Sequence, residues 1–205
     1  MTDFYIGVDV GTGSVRAALV TCAGHVTRVE VREISRVSPG PGQYVQSSRE
    51  IWAAVCSCVR SLTQGHVDPT RVKGMGFAAT CSLVIETRDT CGPELCGEPG
   101  YDVIMWMDHR AKVTCFALQQ NSRGHLSETN VQHEAEKINS TCHRVLDYVG
   151  GGVSLEMQMP KLLWLKTHRP DLWTEARRFF DLPDWLVARA SDEDARSLCS
   201  VVCKE

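Results

Sequence analysis

Near the amino terminus, two apolar runs are separated by Asp9-Val10-Gly11-Thr12-Gly13-Ser14-Val15-Arg16. One carboxylate, two glycines, two hydroxyls and one guanidinium fall within a single short turn. Gly11 and Gly13 would let backbone N–H groups approach an anion closely. Thr12 and Ser14 add hydroxyls, and Arg16 adds a positive fork suited to phosphate oxygens. Asp9 would hold Mg2+, directly or through water, because a hard cation takes oxygen ligands and keeps several waters. This is the equipment of phosphoryl transfer, where positioning and charge neutralisation dominate. The same residues also suit a plain hairpin whose aspartate caps its own turn.

The flanking elements narrow the mechanism. Phe4–Val10 is apolar and β-branched, and Arg16–Thr21 reads as a second strand. A turn at 22–25 leads into alternating Val26–Ile34, so three strands form an antiparallel meander. A P-loop needs Gly-x-x-x-x-Gly-Lys-Ser/Thr, and no such run occurs. A dinucleotide fingerprint needs a helix after its glycines. Gly11-Thr12-Gly13 leads instead into strand, and so does the second glycine pair, Gly74-Met75-Gly76-Phe77-Ala78-Ala79.

Further along, Ser47 or Ser48 caps a helix in which Ile51, Val55, Val59 and Leu62 recur at helical spacing and Glu50 complements the first turn. Val72–Ala79 and Leu83–Glu86 read as strands around a polar break at Thr80-Cys81-Ser82, and Val103–Trp106 as a short strand. Helical spacing returns at Gln132–Ile138. Met159–Leu165 begins another helix with Pro160 in its first turn, and Phe179–Arg189 is apolar with Pro183 near a helix start. Strands first, then strands alternating with helices, predict an α/β domain with a mixed sheet.

Composition sets outer bounds. The 205 residues are 43% hydrophobic and 23% charged, with a formal net charge of −3. These are values of an ordinary globular chain, and no basic stripe favours nucleic acid. No apolar stretch is long enough for a membrane span, and the first residues lack the pattern of a secretory signal. A cytoplasmic, reducing setting is therefore expected. In such a setting the ten cysteines, none in a C-x-x-C pair, read as small buried hydrophobes rather than disulfides or zinc ligands.

Five stretches in order carry a resemblance. The first is Asp9–Arg16. The others are Gly76-Phe77-Ala78-Ala79-Thr80-Cys81-Ser82-Leu83-Val84, Met105-Trp106-Met107-Asp108-His109-Arg110-Ala111, Glu156-Met157-Gln158-Met159-Pro160-Lys161-Leu162-Leu163-Trp164-Leu165-Lys166, and Phe180-Asp181-Leu182-Pro183-Asp184-Trp185-Leu186. The first resembles the phosphate motif of the actin-like ATPase superfamily. The set together resembles the FGGY carbohydrate kinases, in their ribulokinase and ribitol-kinase-like branch. The resemblance implies a ribonuclease-H-like α/β fold: a mixed sheet with flanking helices. It implies ATP and Mg2+ as cofactors, and phosphorylation of a pentulose or related polyol, with D-ribulose to D-ribulose 5-phosphate as the example. By resemblance Asp9 is metal-linked, and Gly11, Thr12, Gly13, Ser14 and Arg16 face phosphate. Thr80, Cys81 and Ser82 form the sugar loop, Trp106 is an apolar wall for sugar carbons, Asp108 accepts from sugar hydroxyls, and Glu156 lies on the substrate side. Singly, Trp106 also suits a core position and Asp108-His109-Arg110 a solvated helix start.

Three departures shape the expectation. Ala78 stands where the resemblance implies Asp, which would remove an acceptor beside the sugar loop. Lys112–Val131 has little apolar periodicity and reads as an exposed insertion. Residues 1–205 are expected to form an incomplete amino-terminal domain, with the catalytic base and the carboxy-terminal, adenosine-holding domain beyond Glu205. The chain alone is then expected to be inactive. The alternative is a non-catalytic truncated isoform, acting as an interaction protein that associates with a full-length kinase chain.

Overall fold

In a computed structural model, residues 2–88, 93–97, 99–113, 139 and 144–200 are described. Most of the expected insertion at 112–131 and the helical stretch at 132–138 lie outside the described residues. The predicted meander is present as β1 (Phe4–Val10), β2 (Ser14–Thr21) and β3 (Val26–Glu33), paired antiparallel. Strict alternation drives it. Ile6, Val8 and Val10 of β1 and Val15, Ala17 and Leu19 of β2 point into one core, and the residues between them face outward. Gly24 makes the β2–β3 turn at φ +83°, a conformation that favours glycine.

Helix α1 (Ser48–Thr63) follows a two-residue strand, β4 (Val45–Gln46). Ser47 is its cap: the backbone there is extended, and the hydroxyl accepts from the Glu50 N–H. The buried stripe Ser48, Ile51, Val55, Cys58 and Leu62 lies across β2 and β3. Cys58 behaves as a small core residue, its thiol donating to the Val15 carbonyl. The chain then enters β5 (Val72–Ala79), which pairs parallel with β1 and gives the first sheet the order β3-β2-β1-β5. This is the mixed sheet predicted from the sequence.

A second sheet was not predicted. Its order is β4-β7-β6-β8, all antiparallel, with β6 (Leu83–Thr87), β7 (Val103–Ile104) and β8 (Ala176–Asp181). β7 is shorter than the expected Val103–Trp106, so Met105 and Trp106 belong to a loop. β8 was hidden because Arg177 and Arg178 interrupt its apolar pattern. Arg178 is placed by a bidentate pair with Glu86 across the β6–β8 ladder, at 2.7 and 3.0 Å. Leu83, Val84 and Ile85 are buried on both sides of β6. Val84 meets the first core together with Val103 and Phe180, while Leu83 and Ile85 meet a second core with Val45, Ile104, Leu165 and Leu172. The second core is covered by α3 (Gln158–His168) and α4 (Pro170–Glu175), which follow the single turn α2 (Arg110–Val113). Helix α5 (Leu182–Ser191) closes the first core, and its Trp185 meets Trp52 of α1 edge to face at 6.2 Å.

Ile51 lies at the centre of the first core and is fully buried. Ile51→Ala is expected to lower unfolding free energy by about 2–5 kcal/mol. Val29→Thr, on the open face of β3, is expected to change it by less than about 0.5 kcal/mol. Urea denaturation of the two variants checks the assignment of the buried face, and equal losses would overturn it.

Candidate active site

The polar turn is tighter than the sequence suggested. β2 begins at Ser14, so Ser14 and Arg16 are strand residues and Gly11–Gly13 is the turn, closed by the Gly11 N–H donating to the Ser14 carbonyl at 2.9 Å. Two of its carbonyls are engaged: Thr12 O accepts from Gln46 Nε2 at 3.0 Å, and Gly13 O accepts from the Ile34 N–H at 3.1 Å. The Thr12 and Gly13 N–H groups find no partner among the described residues. A turn with carbonyls tied and N–H groups free is a ready receptor for an anion. Gln46, fully buried on β4, is the residue that ties it.

Asp9 and Arg16 face each other across β1 and β2, with Oδ2 and Nη2 2.8 Å apart and both side chains about half exposed. A side chain at position 11 would place Cβ 2.6 Å from Arg16 Nη2, so glycine leaves the room the guanidinium occupies. Among the described residues, no group of three His, Cys, Asp or Glu side chains gathers to hold a metal. A cation beside Asp9 would therefore rely on water and phosphate oxygens for its remaining ligands, which fits Mg2+. Ala78 pairs with Asp9 in the parallel register, so the missing carboxylate would have stood directly beside it.

The sugar-loop residues come to this turn through the sheet. The Thr80 N–H donates to Val10 O at 3.0 Å, continuing the β1–β5 ladder and bringing 80–82 alongside the turn. Trp106 Nε1 donates to Thr12 Oγ1 at 3.2 Å, and the Trp106 N–H donates to Ser82 Oγ at 3.3 Å. Thr80 and Ser82 hydroxyls are 3.3 Å apart. Gln158 Nε2 donates to the Cys81 carbonyl and to Asp181 Oδ1. Thus Thr12, Thr80, Ser82 and Trp106 form one hydrogen-bonded group, and Gln158 holds the Cys81 carbonyl beside it. Ser82 is fully buried, so within it Ser82 holds Trp106 and Thr80 in place.

Asp108 is placed elsewhere. It is fully buried, and its carboxylate accepts from Arg110 Nε, Nη2 and N–H and from the Tyr44 N–H, at 2.6–2.9 Å. Every oxygen is engaged by the chain itself, and none is offered to a sugar. The stretch 108–110 is a helix start, as one sequence reading had it, but an enclosed one rather than a solvated one. Arg110 is itself buried and lies over the Trp164 ring at 5.2 Å.

Glu156 is exposed, with Oε1 3.9 Å from His109 Nε2, an ion contact beyond hydrogen-bond reach. Beneath it lies Lys161, a residue the sequence reading passed over. Its Nζ donates to the carbonyls of Met105, Trp106 and Glu156 at 3.0, 3.1 and 3.2 Å, and it is fully buried. Burial pushes its pKa down to about 8, opposed by Asp108, Cys81 and Glu156 and assisted by Arg110. A signal was available: Gln158, Lys161 and Leu165 form the inward stripe of α3, so one helix face carries a cation toward the core.

These features are a polar hairpin joined to a second polar loop on an α/β scaffold, and comparison with known proteins gives them a family. The fold matches that of the xylulose kinase from Rhodospirillum rubrum, with a TM-score of 0.69 at 18% identity, over 94% of this chain and 35% of that one. The description "FGGY family of carbohydrate kinases, N-terminal domain" matches residues 4–200, and the chain belongs to that family. It is 44% identical to the human FGGY carbohydrate kinase domain-containing protein, over 98% of this chain and 33% of the relative. It is 40% identical to D-ribulokinase YDR109C of Saccharomyces cerevisiae, over 98% of this chain and 26% of the relative. The chain thus spans about a third or less of the length of these relatives.

Removing one partner of the enclosed Asp108–Arg110 pair leaves a buried charge uncompensated. Asp108→Asn is expected to cost about 3–5 kcal/mol of stability in urea denaturation. A variant of unchanged stability that binds sugar more weakly would restore the role the sequence suggested for Asp108.

Proposed function

We propose that this chain forms the sugar- and phosphate-orienting part of an ATP-dependent kinase of pentuloses or related polyols, with D-ribulose to D-ribulose 5-phosphate as the reaction. One observation carries the reading: the turn with free Thr12 and Gly13 N–H groups is one hydrogen bond from Trp106, through Thr12 Oγ1. Phosphate oxygens and sugar carbons would then be recognised by adjoining residues. The family relation to carbohydrate kinases and the yeast D-ribulokinase support the substrate class.

In the reaction a sugar hydroxyl oxygen forms a bond to the γ-phosphorus of ATP, the bond from that phosphorus to ADP oxygen breaks, and the hydroxyl proton passes to a base. The two free N–H groups, the Ser14 hydroxyl and Arg16 would neutralise charge on the transferring group. Asp9 would hold Mg2+, which supplies charge compensation between the phosphates. Trp106 would shield the sugar carbons and Thr80 would meet its hydroxyls, while Cys81 and Ser82 set the loop. Among the described residues Asp108 is fully engaged, and Glu156 lies in solvent above the Trp106 loop. We assign neither as the base, so residues 1–205 are proposed to be the greater part of an amino-terminal domain whose base and adenosine-binding residues lie in further sequence.

ADP release with ATP, Mg2+ and a panel of D-ribulose, D-xylulose, ribitol and glycerol tests this. A longer protein containing this chain is expected to turn over D-ribulose with kcat/KM at least about tenfold above glycerol, and the 205 residues alone to show little turnover. No turnover of any pentulose or polyol by the longer protein would overturn the reading.

A second reading, a non-catalytic interaction protein, draws on a different observation. The first sheet leaves Tyr5, Val26, Val29, Val31 and Met75 exposed, and clustered exposed apolar residues suit an interaction surface. It expects the 205-residue chain to retain a longer kinase of this family in a pull-down. A chain that stays monomeric and retains none removes this reading.

A further inference from the structure

Three acceptors and three hydrogens meet inside the molecule at Lys161. The carbonyls of Met105 and Trp106 come from the loop after β7, and that of Glu156 comes from the turn before α3. Those two segments lie far apart in sequence, and among the described residues no backbone hydrogen bond sets their spacing. The ammonium does so, with one N–H for each carbonyl. Among the described residues its charge has no direct carboxylate partner at hydrogen-bond distance. Asp108 is occupied by Arg110 and Tyr44, and Glu156 contributes its carbonyl. A cation buried this way is costly unless its donors are fully used, and here all three are.

We propose that Lys161 is a positioning residue of the sugar site: donating to the Met105, Trp106 and Glu156 carbonyls together, its buried ammonium holds the Trp106 wall and the Glu156 segment at one spacing. The word "sugar" rests on the function proposed above, whereas the clamp itself does not. Trp106 also donates to Thr12 and Ser82, so the clamp reaches the phosphate turn through one side chain.

The clamp has a pH signature. A neutral amine has two hydrogens for three carbonyls, so one bond is lost when Lys161 deprotonates, at a pH near 8. The groups facing it are Asp108 and Arg110 from the start of α2, Cys81 from the β5–β6 loop and Glu156 before α3. The linkage runs the other way for the whole fold. With a folded pKa near 8 and an unfolded value of 10.5, the unfolded state binds more protons in between, so this group's contribution to stability rises with pH over that window. Over this window the site is therefore expected to loosen while this group's contribution to stability rises.

The test uses the 205-residue chain labelled with 5-fluorotryptophan, with the Trp106 resonance assigned through Trp106→Phe. In the unsubstituted chain that resonance is expected to shift with a midpoint near pH 8, and to do so in a Cys81→Ser background, which removes the thiol that faces the ammonium. Lys161→Met is expected to abolish the shift. The titration of the unsubstituted chain stands even where that variant fails to fold. D-ribulose affinity of the chain, by calorimetry, is expected to fall about tenfold from pH 7 to pH 9 while stability does not fall. A Trp106 resonance that is flat between pH 7 and 9.5, or that titrates identically in Lys161→Met, overturns the clamp. A titrating resonance with no pentulose bound at any pH leaves the clamp in place and overturns its link to a sugar.

Discussion

The parallel pairing of β1 with β5 is the constraint on which the site depends. Its register sets Asp9 beside Ala78 and Val10 beside Ala79, and the ladder runs one bond further, from Thr80 N–H to Val10 O. Parallel strands need a crossover, and α1 with its capped start provides it. The consequence is geometric: two polar stretches about seventy residues apart in sequence leave the sheet at the same edge and in the same direction. In open α/β sheets, ligands meet the protein at the carboxyl ends of the parallel strands for this reason.

What lies above that edge is a network of backbone acceptors held by buried polar side chains. Gln46 ties the Thr12 carbonyl, Gln158 the Cys81 carbonyl, and Lys161 those of Met105, Trp106 and Glu156. Loops at a site cannot rest on sheet hydrogen bonds, yet their carbonyls are buried and need donors. Amide and ammonium groups from β4 and α3 supply them. Asp108 performs the inverse service, accepting from the Tyr44 and Arg110 backbone while neutralising the Arg110 guanidinium. The groups left without a partner in the chain, or only half enclosed, are the Thr12 and Gly13 N–H groups, among the described residues, and the Asp9–Arg16 pair.

Local pattern made much of this legible. The alternation of Phe4–Thr21, the helical stripe from Ile51 to Leu62 and the hydroxyl cap before it depend on neighbours within a few residues, and each was found where the sequence placed it. β8 was not, because Arg177 and Arg178 break its alternation and its stabilising partner, Glu86, is 92 residues away. The resemblance implied Asp108 as an acceptor for sugar hydroxyls, with a solvated helix start at 108–110 as the alternative, whereas its carboxylate is enclosed. Its Tyr44 partner, 64 residues earlier, could not be inferred from spacing.

The sequence by itself determined the class: periodicity and turn chemistry, which are local properties, predict an α/β domain with a mixed sheet, and the ordered motifs carry the resemblance to the FGGY carbohydrate kinases. Tertiary structure alone decided which polar side chains are enclosed and bonded within the chain and which stay exposed. Asp108, Ser82, Gln46 and Lys161 carry the same functional groups whether exposed or enclosed. Their roles were settled by contacts that only the folded sheets and helices create, such as Lys161 with Met105 across 56 residues and Trp106 with Thr12 across 94. Enclosure removes water as an alternative partner, so each buried donor must find a specific acceptor.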